Sequence, residues 1–307
     1  MIVVVCPGQG SQTPGFLEPW LAVPAFAELV AQHSEAVGID LAAHGTVSDA
    51  DTIRDTAVAQ PLIVSAGLVA LSALLADGRD AKIAGIAGHS VGEITAAAGA
   101  GILSDADALV FVRERANAMA AAAAATPTGM SAVLGGDEAA LLERLGELGL
   151  EPANYNGGGQ TVVAGALDAL AALKEEPVAG TRVIPLQVAG AFHTRYMAPA
   201  RDTLVGVAAT ITPSDPALRI WTNADGSTVA SGPAFLDLLV GQVASPVRWD
   251  LCMAAFADAG ITGLIEVAPA GALVGLAKRG LKGLPTLAIK TPDDLDAARA
   301  FIDEHAA

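Results

Sequence analysis

Three side chains in this sequence have the type and setting to do chemistry on an acyl group: Ser90, His193 and Arg115. Ser90 lies in Gly88-His89-Ser90-Val91-Gly92-Glu93, between a largely apolar run at 82–87 and an alanine-rich stretch of helical character at 94–101. A strand turning sharply into a helix, with G-x-S-x-G at the turn, is a nucleophile elbow. Its glycines sit where a Cβ would clash, and the helix N-terminus behind the serine favours developing negative charge. The competing reading is a glycine-punctuated turn with an idle serine.

A serine needs a base to attack. Among His33, His44, His89, His193 and His305, the candidate is His193, in the loop Ala189-Gly190-Ala191-Phe192-His193-Thr194. The alternative is a surface loop histidine. His89 adjoins Ser90, but consecutive residues at an elbow point in different directions, so a structural role is expected of it. No acidic partner for His193 stands out: Asp105, Asp107, Asp137 and Asp168 each fit a helix start or a surface. The pattern therefore reads as a Ser–His dyad, with the histidine oriented by a backbone carbonyl or an amide side chain. Arg115 shares a helical stripe with Phe111, Val112 and Met119 and should point inward. A buried guanidinium needs an anionic partner, either an internal carboxylate or the carboxylate of a substrate held bidentately. Arg113 falls on another face and is expected in solvent.

These residues need a scaffold, and the composition allows one. Hydrophobic residues make up 52 % and charged residues 16 %, enough for a large core and too apolar for disorder. A net charge of −16 speaks against nucleic acid as a partner, and obliges an acidic partner to find a local basic patch. Cys6 and Cys252 lie in apolar surroundings and read as buried free thiols in a reducing cytoplasm. The histidines show no ligand-like spacing, so no metal is expected. The first six residues read as a core strand, not a signal peptide. The apolar run at 62–76 follows Pro61 and reads as a buried helix too short to cross a bilayer.

Along the chain, a strand at 2–6 leads into the loop Pro7-Gly8-Gln9-Gly10-Ser11-Gln12, a helix starts at Pro24, and the helix from Leu62 runs towards Asp77-Gly78 before the elbow strand. This alternation predicts a parallel α/β core. Ser104 caps a helix running to the alanine tract 120–125, which Thr126-Pro127-Thr128-Gly129 breaks. There follow a strand at 130–134, a helix at 137–148, strands at 152–156 and 160–164, a helix at 166–175 and a strand at 181–188. That βαββαβ order is the ferredoxin-like unit. The expected fold is thus a large α/β-hydrolase-like domain with a parallel sheet, residues 1–125 and 190–307, carrying an inserted ferredoxin-like domain at 126–189. Beyond it a strand is predicted at 218–222, helices at 235–243 and 247–259, a strand at 261–267, a helix at 273–281 and a helical tail from Asp293.

Five motifs taken in register, Pro7-Gly8-Gln9-Gly10-Ser11-Gln12, Gly88-His89-Ser90-Val91-Gly92-Glu93, Arg115-Ala116-Asn117-Ala118-Met119, Ala191-Phe192-His193 and Gln242-Val243-Ala244-Ser245-Pro246-Val247, closely resemble the malonyl-CoA:acyl-carrier-protein transacylases and the related acyltransferase domains of polyketide synthases. Asn154-Tyr155-Asn156, Val162-Val163-Ala164-Gly165 and Glu266-Val267-Ala268-Pro269 extend the resemblance over nearly the whole chain. It implies Ser90 as acylated nucleophile, His193 as base and acid, Arg115 on the malonyl carboxylate, and the amides of Gln9 and Val91 as oxyanion hole. The main-chain carbonyl of Gln242 would orient His193. Phe192 matches the Ala-Phe-His form of malonyl-selective polyketide domains, whose ring leaves little room for an α-methyl group. Gly190 stands where many of those domains have histidine, many stand-alone enzymes have serine at the Phe192 position, and Ala116 replaces a frequent glycine.

The resemblance further implies malonyl-CoA and acyl carrier protein as substrates, without a cofactor, and the self-contained pattern permits a monomer. Acidic carriers would dock on Lys278, Arg279 and Lys282, with Arg195 and Arg201 nearby in sequence to His193. A serine hydrolase or thioesterase, a trans-acting polyketide acyltransferase and a non-catalytic carrier-binding protein are the competing readings.

Overall fold

The computed structural model describes residues 1–76 and 78–305; the expected helix end at Asp77 lies outside them, as do residues 306 and 307. In chain order the strands of the described residues are β1 (Ile2–Cys6), β2 (Ile83–Gly88), β3 (Thr128–Gly135), β4 (Glu151–Gly157), β5 (Gln160–Ala166), β6 (Thr181–Pro185), β7 (Ile220–Trp221), β8 (Val247–Arg248), β9 (Gly263–Glu266) and β10 (Thr286–Ala288). They form two sheets.

The first sheet has the order β10-β9-β1-β2-β7, and every pairing in it is parallel. Helices cover both faces, which is why β1 is an unbroken apolar run with every residue buried. The β1–β2 register sets Cys6 against Gly88, so the loop after β1 and the elbow after β2 emerge side by side. Open α/β sheets bind ligands at these carboxyl ends.

The second sheet has the order β6-β3-β5-β4-β8, antiparallel through β4. The helices Glu138–Leu148 and Leu167–Glu175 bury Leu141, Leu145, Leu170 and Leu173 against Val133 and Val163. This is the ferredoxin-like βαββαβ arrangement, and the expected α/β fold class is borne out.

The structure corrects several details. The helix predicted to begin after Pro61 begins six residues earlier, spans Thr56–Leu75 and contains Pro61. Asp55 caps it by accepting from the Ala57 amide, and burial of every residue from Ala59 to Leu74 except Ser72 outweighs one lost backbone bond. At 20 residues this helix is long and apolar enough to cross a membrane by length and composition, but 83 % of its most apolar window is buried inside the protein. The helix predicted at 247–259 splits into β8, which pairs in parallel with Asn154 and Tyr155 of β4, and the helix Trp249–Asp258. Only Ile220 and Trp221 pair as a strand within 218–222. The helix Ala198–Ala208 and strand β10 carry no strong pattern in the sequence.

Candidate active site

The elbow is as tight as its glycines suggest. A Cβ on Gly88 would lie 2.0 Å from the Gly92 carbonyl carbon, and one on Gly92 would lie 2.1 Å from the Cys6 oxygen. Ser90 adopts φ +53° and His193 φ +63°, the two non-glycine residues with positive φ among those described. Such backbone costs on the order of 1–3 kcal/mol per residue and gathers at functional sites.

These two strained residues meet: Ser90 Oγ lies 2.7 Å from His193 Nε2, and His193 Nδ1 lies 2.9 Å from the Gln242 carbonyl. A carbonyl only accepts, so Nδ1 carries the proton and Nε2 presents its lone pair to the serine hydroxyl. Burial, with a further contribution from the Arg115 charge, pushes the His193 pKa down to about 3. The imidazole is therefore a neutral acceptor.

Arg115 points inward from the helix Asp105–Ala125, as its stripe predicts, and is 1 % exposed. Its Nη1 donates to Gln60 Oε1 at 2.6 Å; its Nη2 donates to Gln242 Oε1 at 2.8 Å and to Ser90 Oγ at 3.3 Å. All three acceptors are neutral. Among the described residues no carboxylate pairs directly with it; Glu93 stands behind the Gln242 amide, accepting a short hydrogen bond from Nε2. Arg113, expected in solvent, is partly exposed, donates to the Ala36 carbonyl at 3.0 Å and pairs with Glu114 at 2.8 Å.

A cleft of about 300 Å³ opens over Ser90 and His193. Gln9 and Val91 line it, and among the described residues their amides donate to no protein acceptor. The opposite wall, from the antiparallel sheet, mixes apolar Met130, Ala132 and Val162 with the amide side chains of Asn154, Asn156 and Gln160, and buried Phe192 stands beside the histidine. A Cβ on Gly190 would lie 2.6 Å from the Ala123 Cβ, so a histidine there would displace the helix behind it. His89 donates to Asn156 Oδ1 at 2.9 Å and packs edge-on to Trp249, tying the elbow to β4.

Gln60, Glu93 and Asn223 enter the site without having been singled out. Asn223 Oδ1 accepts from the Ser90 amide at 2.8 Å, and its Nδ2 donates to the Gly88 carbonyl at 2.7 Å. Glu93, a lone acid in an alanine-rich helix, was visible as an anomaly; Asn223 had no local signal. Both cysteines are buried free thiols, pushed above the ordinary thiol range by burial. Of the five basic residues proposed for docking, Arg195 pairs with Glu151 and Arg201 with Asp202. Lys278, Arg279 and Lys282 are exposed, and Arg279 reaches the cleft.

Comparison with known proteins agrees with this geometry. Residues 3–298 match the family described as acyl transferase domain. The malonyl CoA-acyl carrier protein transacylase of Mycobacterium tuberculosis is 50 % identical over 300 residues, covering 96 % of this chain and 98 % of that one. The crystal structure of MCAT from Mycobacterium tuberculosis superposes with a TM-score of 0.94 at 50 % identity, over 97 % of this chain and 99 % of that one. A malonyl-transacylase solved in complex with its type II polyketide acyl carrier protein gives a TM-score of 0.91 at 28 % identity, over 98 % of this chain and 99 % of that one. The chain belongs to the acyl transferase family, among the malonyl-CoA–acyl carrier protein transacylases.

Proposed function

We propose that the protein transfers the malonyl group of malonyl-CoA to the phosphopantetheine thiol of acyl carrier protein, by a ping-pong route through a malonyl ester on Ser90. The observation that carries this reading is the 2.7 Å contact between Ser90 and a neutral, oriented His193, beside a buried guanidinium with no direct carboxylate partner among the described residues. His193 takes the Ser90 proton as the oxygen attacks the thioester carbon. The amides of Gln9 and Val91 receive the oxyanion. As the tetrahedral adduct collapses, His193 returns the proton to the departing coenzyme A sulfur. The carrier thiol then attacks the ester by the same steps in reverse, with His193 again as base.

Arg115 supplies the selection. A malonyl carboxylate can exchange for its neutral acceptors, whereas an acetyl group leaves the charge as it was. Truncating one partner of such a buried charge pair costs on the order of 2–5 kcal/mol. Met130, Ala132 and Val162 shield the ester from water, and Phe192 crowds the α-carbon. Residues 126–189 act as the small domain and 1–125 with 190–307 as the large one. Every site residue comes from one chain, so a monomer suffices, and no step calls for a cofactor. Buried free thiols suit a reducing cytoplasm. Exposed Lys278, Arg279 and Lys282 are the basic surface offered to an acidic carrier.

The test is a transfer assay: load the protein with radiolabelled malonyl-CoA, isolate it, and add holo carrier protein. Label on Ser90 that moves to the carrier is expected. Label lost to water at the same rate with or without carrier would make the protein a hydrolase, and no label would leave only binding.

A further inference from the structure

Glu93 takes no part in the transfer chemistry, yet it stands at the centre of the polar groups behind the elbow. It is 1 % exposed. Its Oε1 accepts from the Asn223 amide at 2.7 Å, and its Oε2 accepts from Gln242 Nε2. Asn223 in turn fixes the Ser90 amide at 2.8 Å. Gln242 Nε2 also donates to the Ser90 carbonyl at 3.1 Å, while Gln242 Oε1 holds Arg115 at 2.8 Å and the Gln242 main-chain oxygen holds His193 at 2.9 Å. One carboxylate thus anchors the two residues that between them touch the serine, the histidine and the arginine.

We propose that Glu93 is a positioning residue whose ionised carboxylate aligns Ser90, His193 and Arg115 together through Asn223 and Gln242. The proposal rests on Ser90 being the nucleophile. Its chemical basis is the count of acceptors. An ionised carboxylate accepts from three donors, the Asn223 main-chain N–H, Gln242 Nε2 and the Thr222 hydroxyl; a protonated one carries an O–H of its own, which must face one of those donors or turn the Thr222 hydroxyl round to accept. Protonation therefore weakens the hold on Gln242 and Asn223 and loosens the site.

The groups facing Glu93 are the Arg115 guanidinium across Gln242, the Thr222 hydroxyl and the Cys252 thiol. Asp237, from the helix Gly232–Gln242, lines a second cavity of about 110 Å³ together with Glu93, Thr222 and Gln242. This cavity shares no lining residue with the substrate cleft, so Glu93 faces a space separate from the one that holds the acyl group. Burial pushes the Glu93 pKa up to about 7 against the opposing effect of its hydrogen bonds and of Arg115. The carboxylate then titrates near neutrality, whereas His193 titrates well below it.

The experiment follows sulfonylation of Ser90 by phenylmethylsulfonyl fluoride, a neutral probe, from about pH 5 to about pH 8.5 by intact-protein mass spectrometry. The serine oxygen bonds to sulfur, fluoride leaves, and His193 takes the proton. In the wild type the rate should fall about tenfold per pH unit below the Glu93 titration. Glu93→Gln should be slower by at least about tenfold at the alkaline end and flat across the range. Thr222→Val removes a hydroxyl that favours the ionised form, so its acid limb should move to higher pH; this variant decides the matter if Glu93→Gln does not fold. A Glu93→Gln protein keeping the wild-type limb, an unmoved limb in Thr222→Val, or a flat wild-type profile would each overturn the proposal. No label on Ser90 at any pH would remove the serine reading and this proposal with it, whereas label with a limb indifferent to Glu93 would remove the proposal alone.

Discussion

The parallel and antiparallel sheets contribute unlike halves of the cleft. From the parallel sheet and its connections come Ser90, Glu93, Arg115, His193, Asn223 and Gln242, all buried and hydrogen-bonded to one another. From the antiparallel sheet come apolar Met130, Ala132 and Val162 with the amides Asn154, Asn156 and Gln160, a wall that brings no charge of its own into the cleft. Polar groups inside a protein must be mutually satisfied, so they occupy a region where several elements converge. A wall needs only shape. The first half should decide whether a bond is made, and the second which acyl group fits.

The sharpest way to break that division is Ser90→Ala, which should abolish covalent malonylation and lower transfer by roughly 10⁴-fold or more while leaving the fold intact. Arg115→Ala should lower kcat/KM for malonyl-CoA by about 2–5 kcal/mol, roughly 30-fold to several thousandfold, and raise relative activity with acetyl-CoA. Unchanged selectivity would remove Arg115 from substrate recognition. Phe192→Ala tests the shape side: kcat should change little, while the preference for malonyl over methylmalonyl should shrink by about tenfold.

The pH dependence of stability tests the cost of the polar half. Burial lowers the pKa of His33, His89 and His193, the last to about 3 from an ordinary 6.5. At these histidines the unfolded chain binds protons that the folded protein refuses, so their contribution is full above about pH 6.5 and is lost as pH falls towards the folded values. Glu93, pushed up to about 7, acts the other way, its folded carboxyl holding a proton that the unfolded one gives up. Between about pH 6.5 and 5 the wild type should therefore lose about 2 kcal/mol relative to His193→Asn, read from the denaturant midpoints of the two proteins. The smallest expected effect lies on the surface. Lys278→Glu with Arg279→Glu should raise KM for the carrier a few-fold and leave KM for malonyl-CoA alone; equal changes in both would discard the docking patch.

What could be read from the sequence was what is local. The elbow needs only neighbouring glycines, and Arg115 needs only its helical stripe. Gln60 escaped because Pro61 looked like a helix boundary, yet the helix runs through it and delivers Gln60 to the guanidinium. The His193–Gln242 contact spans 49 residues and the Ser90–Asn223 contact 133. No spacing rule joins positions so far apart; only the resemblance pointed to Gln242, and for its carbonyl rather than its side chain. Likewise β8 is two residues long and has no strand signature of its own, because its partner β4 determines it.

That short strand has a mechanical consequence. β8 begins five residues after Gln242, and it is hydrogen-bonded into the antiparallel sheet while Arg248 donates to the Asn223 carbonyl at 2.8 Å. A hinge motion that swung the two sheets apart would have to pull on the segment that aims His193. The mouth of the cleft is thus tied on one side to the residues that aim His193, and behind it lie about 300 Å³, room for an acyl group on a thioester arm.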